Sequence, residues 1–288
     1  MTQTVLILGA SGKFGRNAAE AFSDSGWTIR VFDRARDDLD QAAQGADVIV
    51  AAWNPQYPDW AAQIPDLHAR IRKAALINDA TVILPGNVYV FGPDAPNHWS
   101  ADTPHLATNG LGMIRRKMEQ AYRQEGVRTI LLRAGDYLDT QPSGNWFDMI
   151  MAKHLRKGVM TYPGNLTAPH AWAYLPDMAR AAVALAEKRD QLERFADIPF
   201  DGYTLSGQQM AEILSRVMGR PIRPRRMLWL PLQLARPFMP LAKYLLEMRY
   251  LWSLPHTLDG AKLAALLPDF QPTPPEKALA AATAHLKR

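Results

Sequence analysis

The chain has 288 residues, enough for one large or two modest domains, and its 48% hydrophobic and 21% charged residues are ordinary for a soluble globular protein. It has no cysteine, which excludes disulfides, thiolate nucleophiles and cysteine metal sites and fits a reducing, cytoplasmic compartment. The net charge of +5 is uneven: between Arg216 and Arg249 eight basic residues meet the single acid Glu247, so the remainder of the chain is net negative and an anionic partner is favoured for this stretch.

The N-terminus, MTQTVLILGASG, lacks a basic leading region and its apolar run stops at a glycine, so it reads as a buried strand rather than a signal peptide. Four more apolar runs follow, at 28–32, 47–50, 81–84 and 129–132. Most are continuous rather than alternating, as in strands covered on both faces of a parallel sheet. Helical patterns lie between them near 13–25, 59–77 and 110–125. This rhythm predicts an α/β, Rossmann-like doubly wound parallel sheet. Beyond Tyr137, residues 141–170 are rich in Pro, Gly, Asn and aromatics, and Asp177 to Arg189 returns to a helix. Another helix spans 207–218 and ends at Gly219-Arg220-Pro221. The expected division is a nucleotide-binding domain over 1–140, joined by 171–190, and a smaller substrate-binding lobe over 141–170 and 191–288. Residues 227–252 pair Arg and Lys with Trp and Leu between prolines. They suit a membrane surface or, as the plainer expectation, helices that bury their own apolar face. No apolar run approaches the ~20 residues of a transmembrane helix.

Val5 to Gly15, VLILGASGKFG, places Gly9, Gly12 and Gly15 between a strand and a helix. Glycines there permit a tight turn, close approach of backbone to a pyrophosphate and tight helix packing, while the helix N-terminus offers unbonded N–H groups to phosphates. The candidate cofactor residues are therefore Gly9, Ser11, Gly12, Lys13, Phe14 and Gly15. Asp33, 18 positions after Gly15, would accept from an adenosine ribose. Arg34, beside it, would instead attract a 2′-phosphate. The reading leans to NAD and leaves NADP open.

With these residues in view, the chain resembles the extended and atypical short-chain dehydrogenase/reductases, the superfamily of nucleotide-sugar epimerases and dehydratases. The loop from Gly9 to Gly15 looks like the extended form. Residues 46–52 are similar to the family's fourth strand, which implies cofactor contacts from Ala51, Ala52 and Trp53. LPGNVYVFG (84–92) stands where the family has its Ser-Ser-x-x-Val-Tyr-Gly turn. AYLPDMARAA (173–182) is similar to its Val-x-Asp-x-Ala helix start, with Asp177 as a structural cap. The resemblance implies NAD(P), a small-molecule substrate and a possible homodimer through the helices at 59–77 and 110–125.

The family's chemistry uses a serine or threonine, a tyrosine as acid/base and a lysine four residues after that tyrosine. Here Asn87 takes the serine position. NGLGMIRRKME (109–119) puts Leu111 at the tyrosine and Arg115 at the lysine, or Met113 and Lys117 in a shifted register. None of the nine tyrosines has a lysine four residues on. Leucine cannot exchange a proton, and arginine stays charged. The candidates for the chemistry are Asn87, as a donor to a substrate oxygen, Tyr89, as a displaced phenol or a packed aromatic, and Arg115, as a fixed cation. Asn54, Tyr137 and His170 are candidate substrate contacts. No metal site and no nucleic-acid module is expected. The sequence thus points to an NAD(P)-dependent oxidoreductase or epimerase/dehydratase with a non-standard acid/base, acting on an anionic carbonyl, alcohol or nucleotide sugar; the alternative is a non-catalytic NAD(P)-binding sensor.

Overall fold

The five apolar runs of the first half become strands, and a sixth joins them. In the computed structural model, which describes residues 2–286, these are β1 (Thr4–Leu8), β2 (Thr28–Phe32), β3 (Val48–Ala51), β4 (Thr81–Gly86), β5 (Thr129–Arg133) and β6 (Phe195–Pro199). They form one parallel sheet in the order β2-β1-β3-β4-β5-β6. All five residues of β1, and likewise of β5, are buried, because helices cover both faces. On one face α3 (Trp60–Ile77) and α4 (Gly110–Gln124) supply Ile64, Ile71, Leu111, Met118 and Tyr122. On the other, α1 (Lys13–Asp24) and α5 (Leu175–Glu187) supply Phe14, Phe22, Met178 and Leu185. The doubly wound architecture expected from the sequence is therefore present.

The chain passes from β1 to β2 on one side of the sheet, and β3 then pairs with the opposite side of β1. That reversal opens a crevice at the C-terminal ends of β1 and β3, where such sheets bind ligands. The run at 46–52, similar to the family's fourth strand, is the third strand here, as the order of the apolar runs implies. Residues 33–47 hold only the four-residue helix α2 (Leu39–Ala42), so β2 is the sheet edge. The sixth strand comes from the stretch that the sequence division gives to the lobe.

A third buried cluster lies outside the sheet. Short strands at 136–138, 171–174 and 203–204 form one small sheet, and strands 159–162 and 223–226 form another. Between them pack Phe147, Met151, Tyr162, Trp172, Met210 and Trp252, with α6 (Gly207–Met218) alongside. The Ser206 hydroxyl caps α6 in a capping box with Gln209, and Gly219, at φ +63°, ends it as its position suggested.

Two expectations need correction. Asp177 is not the N-cap of α5, a place taken by Tyr174. Its carboxylate accepts from the Thr273 backbone N–H (2.6 Å) and hydroxyl (2.8 Å) and pairs with Arg180 (2.7 Å), tying the C-terminal segment to the sheet domain. Nor do residues 227–252 bury their apolar face as a whole. The helix α7 (Leu230–Ala235) buries no residue, and α8 (Pro240–Glu247) buries only Ala242. The two prolines that flank residues 238 and 239, Pro237 and Pro240, break the stretch into pieces too short to lie flat on the core. No helix among the described residues is long and apolar enough to cross a membrane.

Candidate active site

The glycine loop is closed by backbone contacts that leave no room for side chains. Gly9, at φ +83°, would drive a Cβ to 2.7 Å from the Trp53 backbone, and a Cβ on Gly15 would lie 2.1 Å from the Gly9 carbonyl oxygen. Gly12 precedes α1 without a side-chain cap, and the first turn holds no acid. The first-turn N–H groups, which have no intrahelical acceptor, are thus left for an external anion. This loop fits a dinucleotide pyrophosphate. Ser11 is exposed, whereas the Phe14 side chain is in the core, so only its backbone can serve a ligand.

A strap formed by residues 139–148 crosses the start of α1. Asp139 accepts from Arg16 (2.6 Å) and Asn17 (3.2 Å), and the Lys13 ammonium donates to the Gly144 carbonyl (2.6 Å). Burial lowers the Lys13 pKa, with Asp148, Asp136 and Asp139 opposing. Lys13 is therefore fastened to the strap at the first residue of α1.

At the ends of β2 and β3, Asp33 and Arg34 stand where the sequence predicts. The Asp33 carboxylate accepts from the Ala35 N–H (3.0 Å) and approaches Arg36 at 3.5 Å, so it already serves its own turn. The Arg34 guanidinium lies over the Trp53 ring, 5.4 Å from its centre. Ala51 is buried, Ala52 is half-buried and Asn54 is exposed beyond them.

Deeper along the same edge is a cluster of phenols around one arginine. Arg115 is 5% exposed, donates to the Pro85 carbonyl (2.6 Å), sits over the Trp60 ring and keeps its Nε without a hydrogen-bond partner. Burial lowers its pKa. Leu111, one helical turn earlier, is fully buried and contributes only packing. The phenols are Tyr89, Tyr137 and one that sequence reasoning missed, Tyr57. The Tyr57 and Tyr89 hydroxyls share a 2.6 Å hydrogen bond. Burial pushes the Tyr57 phenol up to about 12 against the opposing effects of the Tyr89 hydrogen bond and the Arg115 charge, and it pushes Tyr137 to about 12 against Arg115. Tyr89 goes well above its ordinary value, first by burial and then by Tyr57 and Asp136. All three are protonated near neutral pH. Tyr57 follows Trp53-Asn54-Pro55 and begins a single 3-10 turn (Tyr57–Asp59) ahead of α3, far in sequence from α4.

Asn87 is held by its own turn. Its Oδ1 accepts from the Tyr89 N–H (3.1 Å) and its backbone carbonyl from Arg133 (2.7 Å), which leaves the Nδ2 donor as its available group. Arg133 is fully buried and ion-paired to Glu119 (2.8 Å) and Asp197 (2.6 Å), which push its pKa up against the opposing effect of burial. The apparent cluster of His105, Glu119 and Asp197 is thus filled by a guanidinium rather than open to a cation. His170 is not at the surface. It is 1% exposed, stacks on Trp252 and shares a 2.8 Å hydrogen bond with the Asp136 carboxylate.

No protein-family model matches the chain, and no curated protein matches it in sequence. Solved structures do match its fold. A complex described as MoeE5 with UDP-glucuronic acid and NAD is 16% identical over 99% of both chains, with a TM-score of 0.76. UDP-glucuronic acid 4-epimerase from Bacillus cereus, solved with NAD, is 16% identical over 99% of both chains at 0.74. A GalE-like L-threonine dehydrogenase from Cupriavidus necator is 17% identical over 99% of this chain and 100% of its own, also at 0.74. The chain therefore shares, over 99% of its length, the fold of these three structures.

Proposed function

We propose that the chain is an NAD-dependent oxidoreductase or epimerase acting on a carbonyl or alcohol of the nucleotide-sugar class. The observation that carries this is the buried Arg115 guanidinium beside the end of β4, which shares the Trp60 ring with the hydrogen-bonded phenols of Tyr57 and Tyr89. The structural neighbours, several of them solved with NAD and nucleotide sugars, favour the same reading.

Gly9, Gly12, Gly15 and the first turn of α1 would hold the pyrophosphate, with Lys13 alongside. Asp33 would take the ribose, and the paired Arg34 and Trp53 would offer a flat surface to the adenine. When bound, the nicotinamide accepts or donates a hydride. The chain's own groups manage the oxygen. Asn87 donates through Nδ2, its amide fixed by the bond to the Tyr89 N–H. In the Tyr57–Tyr89 pair one hydroxyl donates to the other, so the second keeps its proton for a substrate oxygen. Arg115 supplies positive charge beside any oxyanion formed there without giving up its proton. We take residues 141–170 with the C-terminal segment beyond β6 as the lobe that covers the substrate.

A second reading, a non-catalytic binder, draws on the buried Leu111 and on the mutual satisfaction of the two phenols. Fluorescence titration with NADH and with NADPH, followed by a substrate screen, separates the two. The expected outcome is saturable NADH binding, tighter than NADPH, with turnover that falls roughly 100-fold or more in Tyr57→Phe and in Tyr89→Phe at unchanged cofactor affinity. Binding without any turnover would favour the sensor. Absence of binding to both nucleotides would overturn the proposal.

A further inference from the structure

We propose that residues 223–243 form a docking surface for an anionic lipid bilayer, independently of the chemistry at the site. Leu228 (78% exposed), Leu230 (62%), Leu234 (69%), Phe238 (90%) and Met239 (43%) project into solvent from one short segment. The base of this segment is fixed. Met227 N–H donates to the Tyr162 carbonyl (2.8 Å), and the buried Trp229 donates to the Pro163 carbonyl (2.6 Å) under the Arg249 guanidinium. Rigid support beneath and bare apolar tips above make this a presented surface, not a frayed loop.

The charge on this segment has one sign. Arg223, Arg225, Arg226, Arg236 and Lys243 are exposed, and none has a carboxylate partner among the described residues. Residues 223–243 contain no acid, and the nearest one further along the chain, Glu247, is engaged elsewhere, accepting from the Asn109 amide and the Leu111 N–H. Exposed leucine and phenylalanine side chains on the same segment as these arginines are complementary to an interface that offers acyl chains beneath anionic headgroups. A protein groove would fit less well, because Phe238 stands on a turn bounded by Pro237 and Pro240 and projects outward.

The test is co-sedimentation of the purified full chain with extruded vesicles of phosphatidylcholine alone and with roughly 30% phosphatidylglycerol, alongside the double variant Leu234→Ser/Phe238→Ser. Both side chains are exposed, so the variant should keep its thermal unfolding midpoint. The expected result is binding to the anionic vesicles roughly tenfold or more above neutral ones, weakened by salt, and reduced about tenfold in the double variant. Absence of binding to anionic vesicles, or equal binding by the variant, overturns the proposal. A concentration-dependent dimer that the variant abolishes, with no vesicle binding, also overturns it and assigns the surface to a second copy of the chain.

Discussion

Arg133 shows what a single side chain can organise. It lies on a central strand with no exposed surface, and two carboxylates from different elements neutralise it, one on α4 and one on β6. It also donates to the carbonyl of Asn87, so the turn that presents Asn87 and Tyr89 hangs on the same guanidinium. Replacing Arg133 with Met strands two buried acids. The expected cost is about 3–5 kcal/mol of stability in urea unfolding at neutral pH, with partial recovery at acid pH where the orphaned carboxylates can protonate. A loss below about 1 kcal/mol would show that water reaches these groups. The same residue explains why β6 escaped the sequence. Phe195-Ala-Asp-Ile-Pro carries an acid and a proline and does not read as a buried strand; only a partner 64 positions away makes Asp197 compatible with the interior.

Among elements, α4 is the one whose position was legible and whose chemistry was not. The glycine loop could be read because its function depends on local spacing, and α1, α3, α4 and α6 fell within one residue of their expected bounds because their apolar periodicity is local. The phenol cluster depends on three segments meeting: the turn at 57–59, the turn after β4 and the strand 136–138. No window of sequence contains that meeting. The start of α4 is likewise completed from a distance. Asn109, its N-cap, makes no side-chain cap bond, and the Glu247 carboxylate at the end of α8 accepts from the Leu111 N–H instead (2.7 Å). Glu247→Gln removes the charge facing the helix N-terminus while keeping an acceptor. A loss of about 0.5–1 kcal/mol in unfolding free energy is expected. No change on this substitution would mean that water serves the Leu111 amide equally well.

At the scale of the whole molecule, buried histidines set the acid limit of stability. Burial holds His68 near 3, helped by the charges of Arg115 and Arg72, and holds His256 near 3, helped by His170. An unfolded histidine titrates near 6.5, so the unfolded chain takes up these protons first. Stability is full above about pH 6.5 and drains as pH falls toward 3, by about 1.4 kcal/mol per pH unit for each histidine. Urea midpoints between pH 6.5 and 5, above most of the carboxylate range, should fall steeply, and His256→Asn should make that slope shallower. A flat profile across this interval would mean that both rings are solvated.

The two rims of the central sheet are not alike. At one side β6 is fully buried and α9 (Ala261–Leu266) lies against it. At the other, the short passage from Phe32 to Val48 omits any further strand, and β2 ends the sheet with Thr28 and Val31 in water. One row of its peptide groups faces outward with no ladder partner. The main guard is Arg30, whose guanidinium reaches across to the carbonyls of Gln44 and Ala42 and lays charge over the rim. The molecule therefore has a sealed flank and an unfinished one. Any extended segment that adds itself to the native sheet has only the unfinished flank to choose.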